Sequence, residues 1–186
     1  MSTVTNESLR LAQELAPLMV DLRRDLHRHP EIGNHLPRTQ QAVVDALAPL
    51  DLEVTRGRGL SSVVAVLRGQ GQPEQGPRQV VLLRGDMDAL PVDEEVGGDY
   101  QSLVEGSMHA CGHDLHVAAL VGAAHILSAR RKELDGDVVL MFQPGEEGFD
   151  GARRMIDEGV LGAAGRPADA AFALHVMPNM VPRGQV

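Results

Sequence analysis

The chain has 186 residues, 43% hydrophobic and 23% charged, which suffices for one domain with a buried core. A net charge of −9 offers no basic face for nucleic acid, and a single cysteine excludes an internal disulfide framework. No apolar run approaches the ~20 residues that span a membrane, and Met1–Ser8 lacks the basic and apolar regions of a signal peptide, so the expected compartment is the cytoplasm.

Asn6 to Arg28 reads as a helix, because Leu11, Leu15, Leu18, Leu22 and Leu26 recur on one face. Pro17 predicts either a kink or a second helix starting there, and Pro30 ends the segment at His29. Pro37 to Leu50 is a second predicted helix, with Val43, Val44, Leu47 and Leu50 inward. Leu52–Arg56 and Ser61–Leu67, around Gly57-Arg58-Gly59, have the β-branched content of paired strands. Arg68 to Arg78 is a Gly-, Gln- and Pro-rich surface loop.

Gln79–Arg84 is a short continuous apolar run, the pattern of a strand buried on both faces, and it leads into Gly85-Asp86-Met87-Asp88. Leu115 to Lys132 is a helix with Val117, Leu120, Val121, Ala124 and Leu127 on one face and Asp114 in the N-cap position. Asp137–Phe142 is another buried strand, running into Gln143-Pro144-Gly145-Glu146-Glu147. Gly151–Glu158 is a short helix closed by Gly159, and Asp169–Val176 a last strand with His175 near its end. Strands alternating with helices give an α/β class with a mixed, largely parallel sheet flanked by helices. Asp86 and Asp88, Glu146 and Glu147, and His175 each fall at the C-terminal end of a predicted strand, the edge where open α/β sheets form sites.

The densest chemistry lies in Met108-His-Ala-Cys-Gly-His-Asp-Leu-His116. A thiolate at Cys111 and an imidazole at His113, two residues apart in a Gly-containing turn before a helix, can reach one cation, and the helix start would lower the thiol pKa. An isolated Cys-x-His is more often a buried cysteine beside surface histidines; carboxylates and His175 on the same edge shift the balance toward a metal centre. Glu146 and Glu147 can divide into a ligand and a general base. Asp86 and Asp88 alternate along an extended segment and can orient a ligating histidine, or simply decorate a turn. His116 is a candidate supporting residue, and His109 lies too near the centre to set aside. His27 and His29 are expected to pack or cap the first helix, and His35 and His125 to be ordinary surface or packing residues.

These motifs, Arg84-Gly-Asp-Met-Asp-Ala-Leu-Pro91, Met108-His-Ala-Cys-Gly-His-Asp114 and Gln143-Pro-Gly-Glu-Glu-Gly148, together with Leu26-His-Arg-His-Pro-Glu-Ile-Gly33, resemble the M20 metallopeptidase family. The nearer likeness is to its amidohydrolase branch of N-acyl-amino-acid amidohydrolases and hippurate and auxin-conjugate hydrolases. The resemblance implies a two-metal centre that hydrolyses the amide of an N-acyl amino acid. It makes Cys111, His113, Glu147 and His175 metal ligands, Glu146 the general base and Asp88 the supporting aspartate; zinc or manganese, and also cobalt or nickel, suit the donor set. Leu115 stands where the family usually has glycine. The resemblance further implies that residues 1–186 form the N-terminal part of a catalytic domain. A lid or dimerisation domain, the rest of the catalytic domain and a further histidine ligand would lie outside it, and full-length homologues are expected to form homo-oligomers. Two other readings stay open: a truncated, inactive metal-binding fragment, and a cysteine hydrolase using Cys111.

Overall fold

The computed structural model describes residues 3–74 and 76–177; Met1, Ser2 and the Arg183–Val186 end lie outside the described residues. Helix α1 (Thr3–Arg28) and helix α2 (Pro37–Leu47) come first, followed by strands β1 (Glu53–Arg56), β2 (Val63–Leu67) and β3 (Val80–Asp86). Helix α3 (His113–Ala129), strand β4 (Asp137–Gln143), helix α4 (Gly151–Asp157) and strand β5 (Ala170–Ala173) complete the order. The sheet runs β1-β2-β4-β3-β5. Strands β4, β3 and β5 are mutually parallel, and β2 pairs antiparallel with both β1 and β4.

The alternation of side chains along each strand explains the three layers. Val63, Ala65 and Leu67 of β2 and Val138, Leu140 and Phe142 of β4 face α1, α2 and α3. The intervening Val66, Val139 and Met141 face the other way, onto Met155 of α4 and the 3-10 turn at Val160–Gly162. Both sheet faces are therefore covered over β2, β4 and β3, which is why β4 reads as an unbroken apolar run.

Several local expectations need correction. Helix α1 passes through Pro17 without ending, because Pro17 lies on the exposed face, where the lost backbone hydrogen bond is open to water. Leu18 is 40% exposed, so it is not part of the inward stripe. Met19 makes the close approach instead, its Sδ lying 2.3 Å from where a Cβ on Gly122 of α3 would stand. Helix α2 stops at Leu47: Ala48 keeps αR backbone and its N–H turns to the Asp45 carbonyl, and Pro49 has no N–H to continue the ladder. Helix α3 ends at Ala129 rather than Lys132; Arg131–Glu133 continue as a 3-10 turn. Strand β5 ends at Ala173, so His175 sits two residues beyond the ladder. Among the described residues no helix is long and apolar enough to cross a membrane.

Candidate metal centre

The C-terminal ends of the parallel strands and the start of α3 converge. Asp86 is the last residue of β3, paired in register with Gln143 at the end of β4. The chain then turns away from β3, held by the Met87 N–H on the Gln143 carbonyl (2.8 Å) and the Ala89 N–H on the Glu31 carbonyl (2.8 Å). This leaves Asp88 buried beneath the turn that follows β4. Leu90 and Met108 exchange backbone hydrogen bonds, which brings the Met108–His113 stretch alongside.

Helix α3 starts at His113, with Gly112 before it in the left-handed region at φ 82°. Asp114 is therefore not the N-cap. It is a fully buried first-turn residue whose Oδ2 accepts a hydrogen bond from His27 Nδ1 (2.8 Å) and lies 2.7 Å from Arg23 Nε, both on α1. His27 Nε2 faces Glu94 Oε1 at 3.3 Å. His29 Nδ1 donates to the Asp25 carbonyl and so serves the end of α1, and His125 Nε2 donates to the Ala46 carbonyl of α2.

His113 is the centre of the group. It is completely buried, yet among the described residues neither ring nitrogen has a hydrogen-bond partner. Nε2 faces Asp86 Oδ2 and Glu147 Oε1 at 3.7 Å each and Glu146 Oε2 at 4.0 Å; Nδ1 faces Asp88 Oδ1 at 3.6 Å. Asp86 and Asp88 thus approach opposite nitrogens of one ring instead of facing a common side. Burial works against protonation of His113, but Asp88, Asp86 and Glu147 outweigh it and raise its pKa. A buried imidazole ringed by Asp86, Asp88, Glu146 and Glu147 sits where a cation would offset the mutual repulsion of the carboxylates.

Asp88 has a second task. Its two oxygens accept the backbone N–H groups of Glu146 (2.9 Å) and Glu147 (3.1 Å), so it ties the carboxylate-bearing turn to the end of β3. Burial opposes its ionisation, but His113 and these two amides outweigh it and hold its pKa below the usual carboxylate value. In the resulting turn the two glutamates differ: the Glu147 side chain is 23% exposed and the Glu146 side chain 41%.

Cys111 lies beside His113 and His175. Its Sγ is 3.3 Å from His175 Nε2, which itself lies in an exposed stretch past β5. The helix start does not lower the thiol pKa as expected; burial and the charges of Glu147, Glu146 and Asp86 push it up to about 11. His116 Nδ1 lies 2.5 Å from Asp86 Oδ1, and its ring packs edge-on to His175 at 4.6 Å between centroids. Burial raises the Asp86 pKa, but His116, His113 and Arg84 together bring it below the usual value.

Three sets of ligand atoms each lie within 4.8 Å of one another: Cys111, His113 and His175; His113, Glu146 and Glu147; and Asp86, His113 and His116. All share His113. The orphaned ring nitrogens of this buried histidine and the mixed thiol, imidazole and carboxylate donors fit divalent cations. Sequence patterning did not single out Arg84, whose guanidinium sits 2.7 Å from Asp86 Oδ2 and donates to Gln143 Oε1. Nor did it pair Arg23 and His27 with Asp114. Arg84 and Asp86 lie two residues apart on one face of β3, so strand alternation alone brings them together; Arg23 and His27 meet Asp114 only through tertiary packing.

A model of peptidase family M20/M25/M40 matches residues 82–186, which carry this whole cluster. The thermostable carboxypeptidase 1 of Saccharolobus solfataricus is 39% identical over 167 residues, covering 88% of this chain and 40% of that protein. The IAA-amino acid hydrolase ILR1-like 5 of Arabidopsis thaliana is 39% identical over 179 residues, covering 96% of this chain and 39% of that protein. The crystal structure of the Bacillus subtilis YXEP protein, a dinuclear metal binding peptidase from the M20 family, superimposes with a TM-score of 0.81 at 35% identity. That match covers 90% of this chain and 45% of the other. The chain thus spans about two fifths of the length of the curated relatives it matches. A fold that agrees over nine tenths of this chain, with the metal-type residues on its matched segment, means that the chain belongs to peptidase family M20/M25/M40.

Proposed function

We propose that this chain carries the water-activating part of a binuclear metallohydrolase that cleaves the amide bond of N-acyl amino acids or related amino-acid conjugates. The observation that carries this reading is His113, buried with both ring nitrogens unpartnered at the intersection of three potential ligand sets. Cys111, His113, Glu147 and His175 would hold the metals, and the soft thiolate favours zinc, with manganese, cobalt and nickel as the other candidates. Bound metal supplies Lewis acidity to the scissile carbonyl and acidifies water.

The protein's own groups do the rest. Glu146, the more exposed of the pair, takes a proton at its carboxylate from the attacking water and returns it to the leaving amine. Asp88 keeps the Glu146–Glu147 backbone and His113 in place from beneath. The similarity to a carboxypeptidase and to an IAA-amino acid hydrolase supports an amino-acid amide as the substrate class.

The test is zinc- or manganese-loaded protein assayed on N-acyl amino acids, with and without chelator, beside Glu146→Gln. Turnover that needs metal, and that falls ~10²–10⁴-fold in Glu146→Gln while metal binding persists, is the expected result. Turnover surviving chelation would sink the proposal. Metal uptake without turnover would favour a metal-binding fragment, a reading motivated by the 40% coverage of the carboxypeptidase. A thiol pushed up to about 11 disfavours Cys111 as a nucleophile. Activity lost to iodoacetamide but not to EDTA would restore that reading.

A further inference from the structure

Three histidines crowd the centre, and their hydrogen bonds separate them. His113 has no partner at either nitrogen. His116 uses both: Nδ1 lies 2.5 Å from Asp86 Oδ1, and Nε2 accepts the backbone N–H of Val176 at 3.0 Å. An imidazole nitrogen that accepts an amide proton carries none, so the proton is on Nδ1 and is donated to Asp86. Asp86 is fixed in turn, by its ladder pairing with Gln143 and by Arg84 at its other oxygen.

The recipient of this chain of contacts is the residue next to His175. Strand pairing stops at Arg84 and Ala173, two residues before His175, and His175 is exposed. Its Nδ1 donates to the neighbouring Val176 carbonyl at 2.8 Å. What holds the segment over α3 is Val176: its amide is bound to His116, and its Cγ1 lies 2.4 Å from where a Cβ on Gly112 would stand. Gly112 lies between Cys111 and His113, so the absence of a side chain there lets the His175 segment close over the cysteine.

We propose that His116 is a positioning residue, not a ligand: it transmits the fixed geometry of β3 through Asp86 to the Val176 amide and so sets His175 opposite Cys111. The proposal rests on the reading of Cys111 and His175 as metal ligands. It also removes the set of Asp86, His113 and His116 from the candidate cation sites, because both His116 nitrogens are already engaged, Nε2 as acceptor and Nδ1 as donor.

The test exploits the two ends of the ring. In His116→Gln the amide oxygen reaches the Nε2 position and can still accept the Val176 N–H. His116→Asn keeps a donor toward Asp86 but has no acceptor there. Val176→Pro deletes the N–H itself, in a partly exposed segment away from the core. Cobalt(II) and zinc affinities of the full chain are measured by chelator competition, with the thiolate-to-cobalt absorption reporting Cys111. His116→Asn and Val176→Pro are expected to weaken binding ~10–100-fold, the usual cost of losing a group that orients a ligand. His116→Gln is expected to restore most of that loss. In a His175→Ala background His116→Asn is expected to add little, since the two act through one element.

Equal losses in His116→Gln and His116→Asn with none in Val176→Pro would overturn the positioning role. So would full additivity with His175→Ala. Wild-type protein that takes up no metal would overturn the functional reading itself, and the proposal with it; metal uptake that Val176→Pro leaves unchanged would overturn the positioning role alone.

Discussion

The buried cluster of Arg23, His27, Glu94 and Asp114 makes a quantitative prediction. Asp114→Asn removes the negative charge that faces Arg23 at 2.7 Å and His27 at 2.8 Å. Deleting one partner of a buried pair costs about 3–5 kcal/mol. The lower end applies here, because the Arg23 side chain is 22% exposed and His27 can shed its proton. For a domain of this size ~3 kcal/mol corresponds to roughly 6–12 °C in Tm. The sign of the pH dependence follows from the two shifts. The hydrogen bond to Asp114 raises the His27 pKa above 6.5, so its contribution is full below that value and is lost as pH rises through the folded pKa. Burial raises the Asp114 pKa, but His27 and the other neighbouring cations bring it below 3.8, so its contribution is present above that value and lost on acidification. Thermal unfolding followed by circular dichroism should show the largest deficit of Asp114→Asn near pH 6. A smaller deficit, the part due to Arg23, should remain at about pH 9. A variant within about 1 °C of wild type near pH 6, or a deficit that grows with pH, would refute the reasoning.

Three further outcomes are expected. Gly112→Ala places a Cβ 2.4 Å from Val176 Cγ1 at φ 82°, so it should cost ~1–2 kcal/mol from the left-handed backbone alone and weaken metal binding measured by chelator competition. Phe142→Ala empties a fully buried site between the sheet and α3, and denaturant titration should show a loss of about 3–5 kcal/mol. Chelation should lower the Tm of metal-loaded protein, and Cys111→Ser should shrink that difference, because a ligand that binds only the folded state adds stability by mass action.

Much of this protein is written locally. The apolar run of β4 and the 3.6-residue stripe of α3 follow from burial patterns that neighbouring residues alone establish, and the α/β class follows from their alternation. The positions of Glu146, Glu147, Cys111 and His113 at element ends were legible for the same reason, since turns and helix starts carry Gly and Pro. Local pattern failed where a long-range partner overrode it. Asp114 has the chemistry of an N-cap, but Arg23 and His27, about ninety residues earlier, claim its carboxylate. Cys111 at a helix start suggests an acidic thiol, but burial, together with three carboxylates from β3 and the turn after β4, reverses the shift. His116, Asp86 and Val176 come from a helix, a strand and the stretch past β5, and only the sheet register and the close approach at Gly112 make one histidine a strut and leave its neighbour His113 without a hydrogen-bond partner among the described residues. The sequence by itself determined which groups this protein brings to one edge of its sheet. The tertiary structure decided what each group faces, because charge and hydrogen bonding act across space and not along the chain.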